Sequence, residues 1–435
     1  MDGTSFKNHR QAVVNIFHEN GINTGIILYN SPPQPKEPFS ESETAFTQEA
    51  LFYWMTGYSL PNSAIVVELS NGRSTLVISG FDSHYEIWTG KIPSKEELMK
   101  QTGVDNVIDE EELLTLIESL KPPKIYSADL SSEEDFDANN FPAAAMKARR
   151  IKFPDEVECL RKASDLTAQA IIKVLENVKP NMHEYEVQAL FEFHGKLLGC
   201  RDVSFLTIAA AGQNSVYLHY SANAGQVHDG DLILLDCGLF YNHYAGDITR
   251  TFPANGKFSP DQRLVYSSLL KKQIELCQLV KPGVTFKTLN SELTQAVFEV
   301  LKEIGIVKNE PFNSEVSSLF CPHGISHHIG CNVHDQTYYG EKSDIRDSED
   351  DDRTLRPNMI ISIEPGIYFH KTRLTNERNN PTYAIVDFNK ALQFAESVGG
   401  IRIEDDVLVT NDSFEILSAR CPKTIEDIER IMSNQ

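Results

Sequence analysis

The chain has 435 residues, long enough for two domains and a sizeable core, and a formal net charge of −22 from 40 Lys and Arg against 62 Asp and Glu. With basic residues few and scattered, nucleic acid is excluded as a partner. No run approaches the ~18 consecutive apolar residues of a membrane span, the start MDGTSFKNHRQAVVNIF lacks the marks of a secretory leader, and seven scattered cysteines without a CxxC pair read as reduced thiols of a cytoplasmic protein.

In chain order, TGIILYN (24–30), NSAIVVELS (62–70) and STLVISG (74–80) read as strands between helical patterns, which suits a small N-terminal α/β domain. Residues 121–156 bring Pro pairs, an acidic run and turn formers, and are read as the boundary that separates a domain over 1–148 from one over 149–435. Pro154 suits the first turn of a helix, and Val157, Leu160, Ala163, Ala170, Ile171, Val174 and Val178 follow at three- and four-residue steps. Residues 183–199 and 260–305 supply further amphipathic helix. Strands are expected at 231–240, 247–252, 359–364 and 401–410, giving an α+β domain whose antiparallel sheet is flanked by helices. EKSDIRDSEDDDR (341–353) reads as a solvated surface loop.

DLILLDCGLFYNHYAGDITRTF (231–252) sets Asp236 and Asp247 among apolar and aromatic residues. A hairpin turn centred on Tyr241–Asn242 puts the two directly opposite each other on one face, where like charges repel unless a cation lies between them. Two ordinary surface aspartates at a hairpin base are the alternative. SLFCPHGISHHIGCNVHD (318–335) adds His323, His327 and His334. Gly324 and Gly330 favour extended chain there over a helix, and His323 and His327 share a face in either case. MIISIEPGIYF (359–369) places Glu364 at the end of an apolar strand, and GGIRIEDDVLVT (399–410) alternates Ile401 and Ile403 with Arg402 and Glu404. Each is compatible with a satisfied polar core group. Together they make an oxygen-rich set of four carboxylates and an imidazole, suited to two divalent ions such as Mn2+, Co2+ or Zn2+.

The order of these motifs, Asp, Asp, HGxxH, EPG and GxRIEDD, resembles the pita-bread metallopeptidases of the prolidase and aminopeptidase P family. FTQEALFYWMTGYSLPNSAIVVE resembles that family's N-terminal domain, DITRTFPANGKFSPDQ its catalytic one, and SHYEIWTGKIPSKEEL leans towards the eukaryotic Xaa-Pro dipeptidases. The resemblance implies a pita-bread catalytic domain behind a creatinase-like N-terminal domain, and hydrolysis of the bond before proline in dipeptides. Asp236, Asp247, His327, Glu364 and Glu404 would bind two metal ions, Mn2+ first among them. Glu364 would act as general base, His219, His323 and His334 would hold the substrate carbonyl and the leaving nitrogen, and Arg402 would support Glu404. Trp88 matches a tryptophan near the substrate mouth, and the family's habit is a homodimer acting on small peptides with proline second.

Two departures stand out. Phe205 replaces the family's usual Tyr, and Ala210-Ala211-Gly212-Gln213 replaces Gly-Ser-Gly-Glu. Dipeptidases also carry an arginine for the substrate carboxylate in the loop before EPG. Here that loop is the acidic run, with Arg346 and Arg353 as candidates. An aminopeptidase P acting on longer peptides, a catalytically silent binding relative and a metal-free creatinase-like hydrolase are the rival readings.

Overall fold

The computed structural model describes residues 1–37, 44–79, 86–87, 90–91, 93–128, 136–308, 310–335, 343–345 and 354–433. These form two compact units, the first of residues 1–151 with 343–345, the second of 152–335 with 354–433.

The first unit holds one mixed sheet. Its strands β1 (Ile26–Asn30), β2 (Ala64–Glu68), β3 (Ser74–Ile78), β4 (Asn106–Asp109), β5 (Ile125–Tyr126) and β6 (Phe136–Asp137) lie in the order β4-β3-β2-β1-β5-β6. The runs IILY and AIVV are apolar without alternation because both faces of the sheet are covered. Ile26, Leu28, Val66 and Val77 pack against Leu113, Leu116 and Ile117 of helix Leu113–Leu120. Helix Gly3–Glu19 sets Phe17 on the ring of Tyr126, 4.9 Å between centroids. The stretch 121–156 is richer in structure than its composition suggests: β5, β6 and helix Asn140–Arg149 all fall within it. Within the acidic run, Ser343 and Ile345 are buried, and Ser343 Oγ donates to Asn140 Oδ1 at 2.7 Å. These two residues are core, contrary to the solvated loop expected, and the rest of 341–353 apart from Asp344 lies outside the described residues.

The second unit is antiparallel. Strands β7 (Ile208–Ala211), β8 (Leu232–Cys237) and β11 (Ile248–Pro253) form one sheet in the order β11-β8-β7, with β9 (Phe240–Tyr241) and β10 (Tyr244–Ala245) as a short ladder beyond. Strands β12 (Ile360–Ile363), β15 (Asp405–Val409) and β16 (Phe414–Ile416) form another, and β13 (Gly366–Tyr368) pairs with β14 (Gly400–Arg402). Helices Pro154–Asn177, Glu184–Leu197, Pro260–Cys277 and Phe286–Glu303 pack around them, the first opened by its proline as the sequence indicates. All seven cysteines are buried, and none is in a disulfide. Among the described residues no helix is long and apolar enough to cross a membrane.

The hairpin register differs from expectation. Asp236 pairs with Thr249, not Asp247, because the turn sits on Asn242–His243. Both residues have φ near +50 to +60°, 49° and 63°, the handedness a two-residue turn needs to match strand twist. A shift of two residues preserves parity, so Asp236 and Asp247 keep a common face as diagonal neighbours. Between the two ladders the strands cross closely: a Cβ on Gly238 would lie 1.8 Å from the Gly246 carbonyl oxygen, and one on Gly246 would lie 2.6 Å from Thr167 Oγ1. That crossing releases Asp247 from the ladder.

Candidate active site

Five chain segments converge. Asp236 comes from β8 and Asp247 from just before β11, its N–H donating to Asp406 Oδ2 at 3.1 Å. The 325–329 segment runs along β12 as an added edge: Ser362 N donates to His327 O and Glu364 N to Ile325 O, both at 2.9 Å, and Ile329 N to Ile360 O. The stretch around HGISHHIG is therefore extended, as its glycines indicate. The expected 401–410 strand is broken at Ile403–Glu404, where partner changes from β13 to β12. The Glu404 N–H instead donates to Thr249 O at 3.1 Å, tying this corner to β11.

Together they line a cleft of about 550 Å³. One wall is acidic and imidazole-rich: Asp236, Asp247, Glu364 and Glu404 with His219, His323, His327 and His334, and Arg402 beside them. The rest of the lining includes the apolar Phe205, Leu206, Ile208, Leu218 and Val333.

Asp247, His327 and Glu404 each offer a donor atom within 4.8 Å of the others. His327 Nδ1 faces the His328 carbonyl at 3.1 Å, which assigns the ring proton to Nδ1 and leaves the Nε2 lone pair pointing at Asp247 Oδ2, 3.3 Å away. Asp236 Oδ1 is buried and accepts no hydrogen bond from any described residue. Burial, then the charge of Asp236, pushes the Asp247 carboxyl well above the usual carboxylate range. Burial and Asp247 do the same to Glu404, and burial raises Glu364. Acceptors facing acceptors out of water cost several kcal/mol per charge unless a cation joins them. The donor set fits divalent metal.

Behind these groups the polar atoms are tied down. Arg402 Nη2 donates to Asp236 Oδ2 at 2.5 Å, Nη1 to Tyr368 Oη at 2.8 Å and Nε to Thr249 Oγ1 at 3.2 Å, while Thr249 Oγ1 donates to Glu404 Oε2 at 2.6 Å. Tyr368 Oη lies 2.9 Å from His323 Nε2, and His323 Nδ1 lies 2.7 Å from Gly324 O. Burial and then Arg402 hold His323 down at about 4, so the ring is neutral. The only consistent assignment is Nδ1–H to the carbonyl and the Tyr368 hydroxyl to Nε2. Asp405 points away from the cleft. Burial would raise its carboxyl, but Arg250 and Lys423, at 2.7 and 2.5 Å, hold it below the ordinary range. Asp406, buried beside Asp247 and Ser164, is pushed up to about 7 by desolvation.

Known proteins match this arrangement. The description "Metallopeptidase family M24" fits residues 158–411, and "Aminopeptidase P, N-terminal domain" fits residues 6–126. The chain belongs to metallopeptidase family M24. It is 31% identical to a human Xaa-Pro dipeptidase over 94% of this chain and 88% of that protein. It is 30% identical to an Xaa-Pro aminopeptidase of Haemophilus influenzae over 96% and 95%. Escherichia coli aminopeptidase P with the inhibitor Pro-Leu superimposes with a TM-score of 0.83 at 28% identity, covering 100% of this chain and 98% of that one. The fold is therefore that of the pita-bread enzymes.

In this M24 enzyme the structure brings Asp236, Asp247, His219, His323, His327, His334, Glu364, Arg402 and Glu404 to one cleft. Trp88, Arg346 and Arg353 lie outside the described residues. Both ring nitrogens of His323 have partners in the protein, Nδ1 with Gly324 O and Nε2 with Tyr368 Oη. The side chains of His219 and His334 hydrogen-bond to no described residue and line the cleft, the His334 ring packed edge-on against His327 at 4.2 Å between centroids. Arg402 reaches Asp236 directly and Glu404 only through Thr249. Tyr368 and Asp406 were missed by the sequence reading. Their signal was strand parity: Tyr368 stands four after Glu364 and Asp406 two after Glu404.

Proposed function

We propose that this M24 metallopeptidase hydrolyses the peptide bond before proline and releases the N-terminal residue of Xaa-Pro dipeptides. The observation that carries the reading is the cleft, in which Asp247, His327 and Glu404 bring metal donors together and which Phe205, Leu206, Ile208, Leu218 and Val333 also line. An Xaa-Pro bond has no N–H, so its recognition falls to ring packing and to donors for the carbonyl and the departing nitrogen.

Asp236, Asp247, His327, Glu364 and Glu404 are the residues that would hold two divalent ions, Mn2+ by preference among the ions such oxygen-rich sets accept. When bound, the ions supply Lewis acidity that makes water nucleophilic near neutral pH and stabilises oxyanion charge. Glu364 takes the proton as water oxygen bonds to the carbonyl carbon, and delivers it to the proline nitrogen as the C–N bond breaks. His219 and His334 donate to the substrate, their free ring nitrogens open to the cleft. His323 acts behind them, fixed by Tyr368. The chain is taken to work as a cytoplasmic homodimer on small peptides.

The second reading, an aminopeptidase P, is favoured by the equally close bacterial relative. Release of the N-terminal alanine from Ala-Pro and Ala-Pro-Ala by Mn2+-loaded protein separates the two. A dipeptidase cuts the dipeptide faster, and Arg346→Ala or Arg353→Ala raises its KM for dipeptides far more than for tripeptides, because a guanidinium fork bonds a carboxylate at two points. Faster tripeptide cleavage with neither substitution felt identifies an aminopeptidase P, and no cleavage of either peptide overturns both.

A further inference from the structure

Resting on that reading of the cleft, we infer that Glu184 is a positioning residue for His219, acting through the backbone segment that carries it. Glu184 opens helix Glu184–Leu197 and is fully buried, and no cation pairs with it among the described residues. Four donors satisfy its carboxylate instead. Oε1 accepts from Ala211 N at 2.7 Å and Asn214 Nδ2 at 2.8 Å. Oε2 accepts from Tyr220 Oη at 2.7 Å and Gly225 N at 2.6 Å, while the Glu184 N–H donates back to Gly225 O at 2.9 Å.

The donors span 211 to 225, the connection from β7 towards β8, and His219 stands between them with Tyr220 next to it. Leu218, His219 and Ser221 of this segment face the cleft. The ring nitrogens of His219 hydrogen-bond to no described residue, so the backbone segment that carries it is what sets its position in the cleft. Asn223 adds a second tie to the same helix: Nδ2 donates to Gln188 Oε1 at 2.8 Å and Oδ1 accepts from Ala209 N at 3.0 Å. A Cβ on Gly225 would lie 2.7 Å from Asn214 Nδ2 and 2.9 Å from Glu184 Oε2, so the approach requires glycine. The helix N-terminus favours the negative charge, and charge-assisted bonds hold it. Only an ionised carboxylate accepts all four bonds. An amide of the same shape turns two N–H donors towards Tyr220 and Gly225 or towards Ala211 and Asn214.

The test is a double-mutant cycle with Glu184→Gln and His219→Ala, read on Mn2+-loaded protein with Ala-Pro. Alone, Glu184→Gln should lower kcat/KM by about ten- to hundredfold, the scale of a misplaced reacting group. In the His219→Ala background it should cost less than about twofold, and bound metal should be unchanged, since no metal donor lies on 211–225. Equal losses in both backgrounds, or loss of metal, overturn the inference. If Glu184→Gln fails to fold, Tyr220→Phe removes one of the four bonds and runs through the same cycle. A substrate-free readout keeps this separate from the assignment of the substrate: the imidazole 1H–15N signals of His219, identified by their absence from His219→Ala, should shift in Glu184→Gln. Unshifted signals overturn the inference whatever peptide the enzyme cuts.

Discussion

Arg402 holds Asp236 with one arm of its guanidinium and Tyr368 with the other, at 2.5 and 2.8 Å. A lysine has the charge but not the fork. Arg402→Lys should therefore leave Tyr368 and His323 without their anchor. The expected loss in kcat is about ten- to hundredfold, with weaker metal retention on dialysis, as for other groups that orient metal ligands. An unchanged rate and metal content would show that Asp236 is held by other means.

Burial and the charge of Asp236 disfavour the Asp247 carboxylate in the metal-free protein, and the proposed function makes it a ligand in the loaded one. Asp247→Asn should abolish turnover and remove the rise in Tm that Mn2+ gives the native chain, because a ligand that binds only the folded state stabilises it. The metal-free Tm should not fall, since burial and Asp236 already disfavour the charge that is lost. Thermal unfolding with and without Mn2+ measures both.

Arg250 and Asp405 form an ion pair with both side chains almost fully buried, reinforced by Lys423 and by Gln273 at 2.8 Å. This cluster anchors the start of β15 one residue after Glu404. Arg250→Met strands the Asp405 charge and should destabilise the fold by about 3–5 kcal/mol, the usual cost of breaking a buried pair from one side. Urea unfolding reads it, and a change under about 1 kcal/mol would mean that Lys423 alone suffices.

Phe205 lines the cleft where relatives were expected to carry tyrosine. If a hydroxyl there meets a polar group of the acidic wall, Phe205→Tyr should raise kcat by a few-fold, the equivalent of one hydrogen bond of about 0.5–1.5 kcal/mol. A lower rate would mean that the cleft is shaped around the phenyl ring.

The sequence carried the parts of this architecture that depend on short-range pattern. Strand parity put Asp236 with Asp247 and Arg402 with Glu404, and it survived a one-residue error in the turn because that moves the register by two and leaves parity unchanged. The turn itself was misplaced because Asn242 and His243 both adopt positive φ, which is uncommon for any residue but glycine. Long-range pairing left no local trace. Nothing near HGISHHIG says that it lies along β12, and nothing near Glu184 says that its carboxylate will meet residues 211 to 225. Tyr368 was within reach of the parity argument, but a hydroxyl amid IYF reads as core until Arg402 arrives from β14.

The most direct measurement is metal titration of chelator-stripped protein, with bound metal by elemental analysis and proline release from Ala-Pro followed on the same samples. The expected result is no turnover in the stripped chain, and full turnover as Mn2+ reaches two equivalents per chain. Undiminished turnover in the stripped chain, or two bound equivalents with no cleavage of any Xaa-Pro peptide, would contradict a metal-dependent hydrolase of the bond before proline.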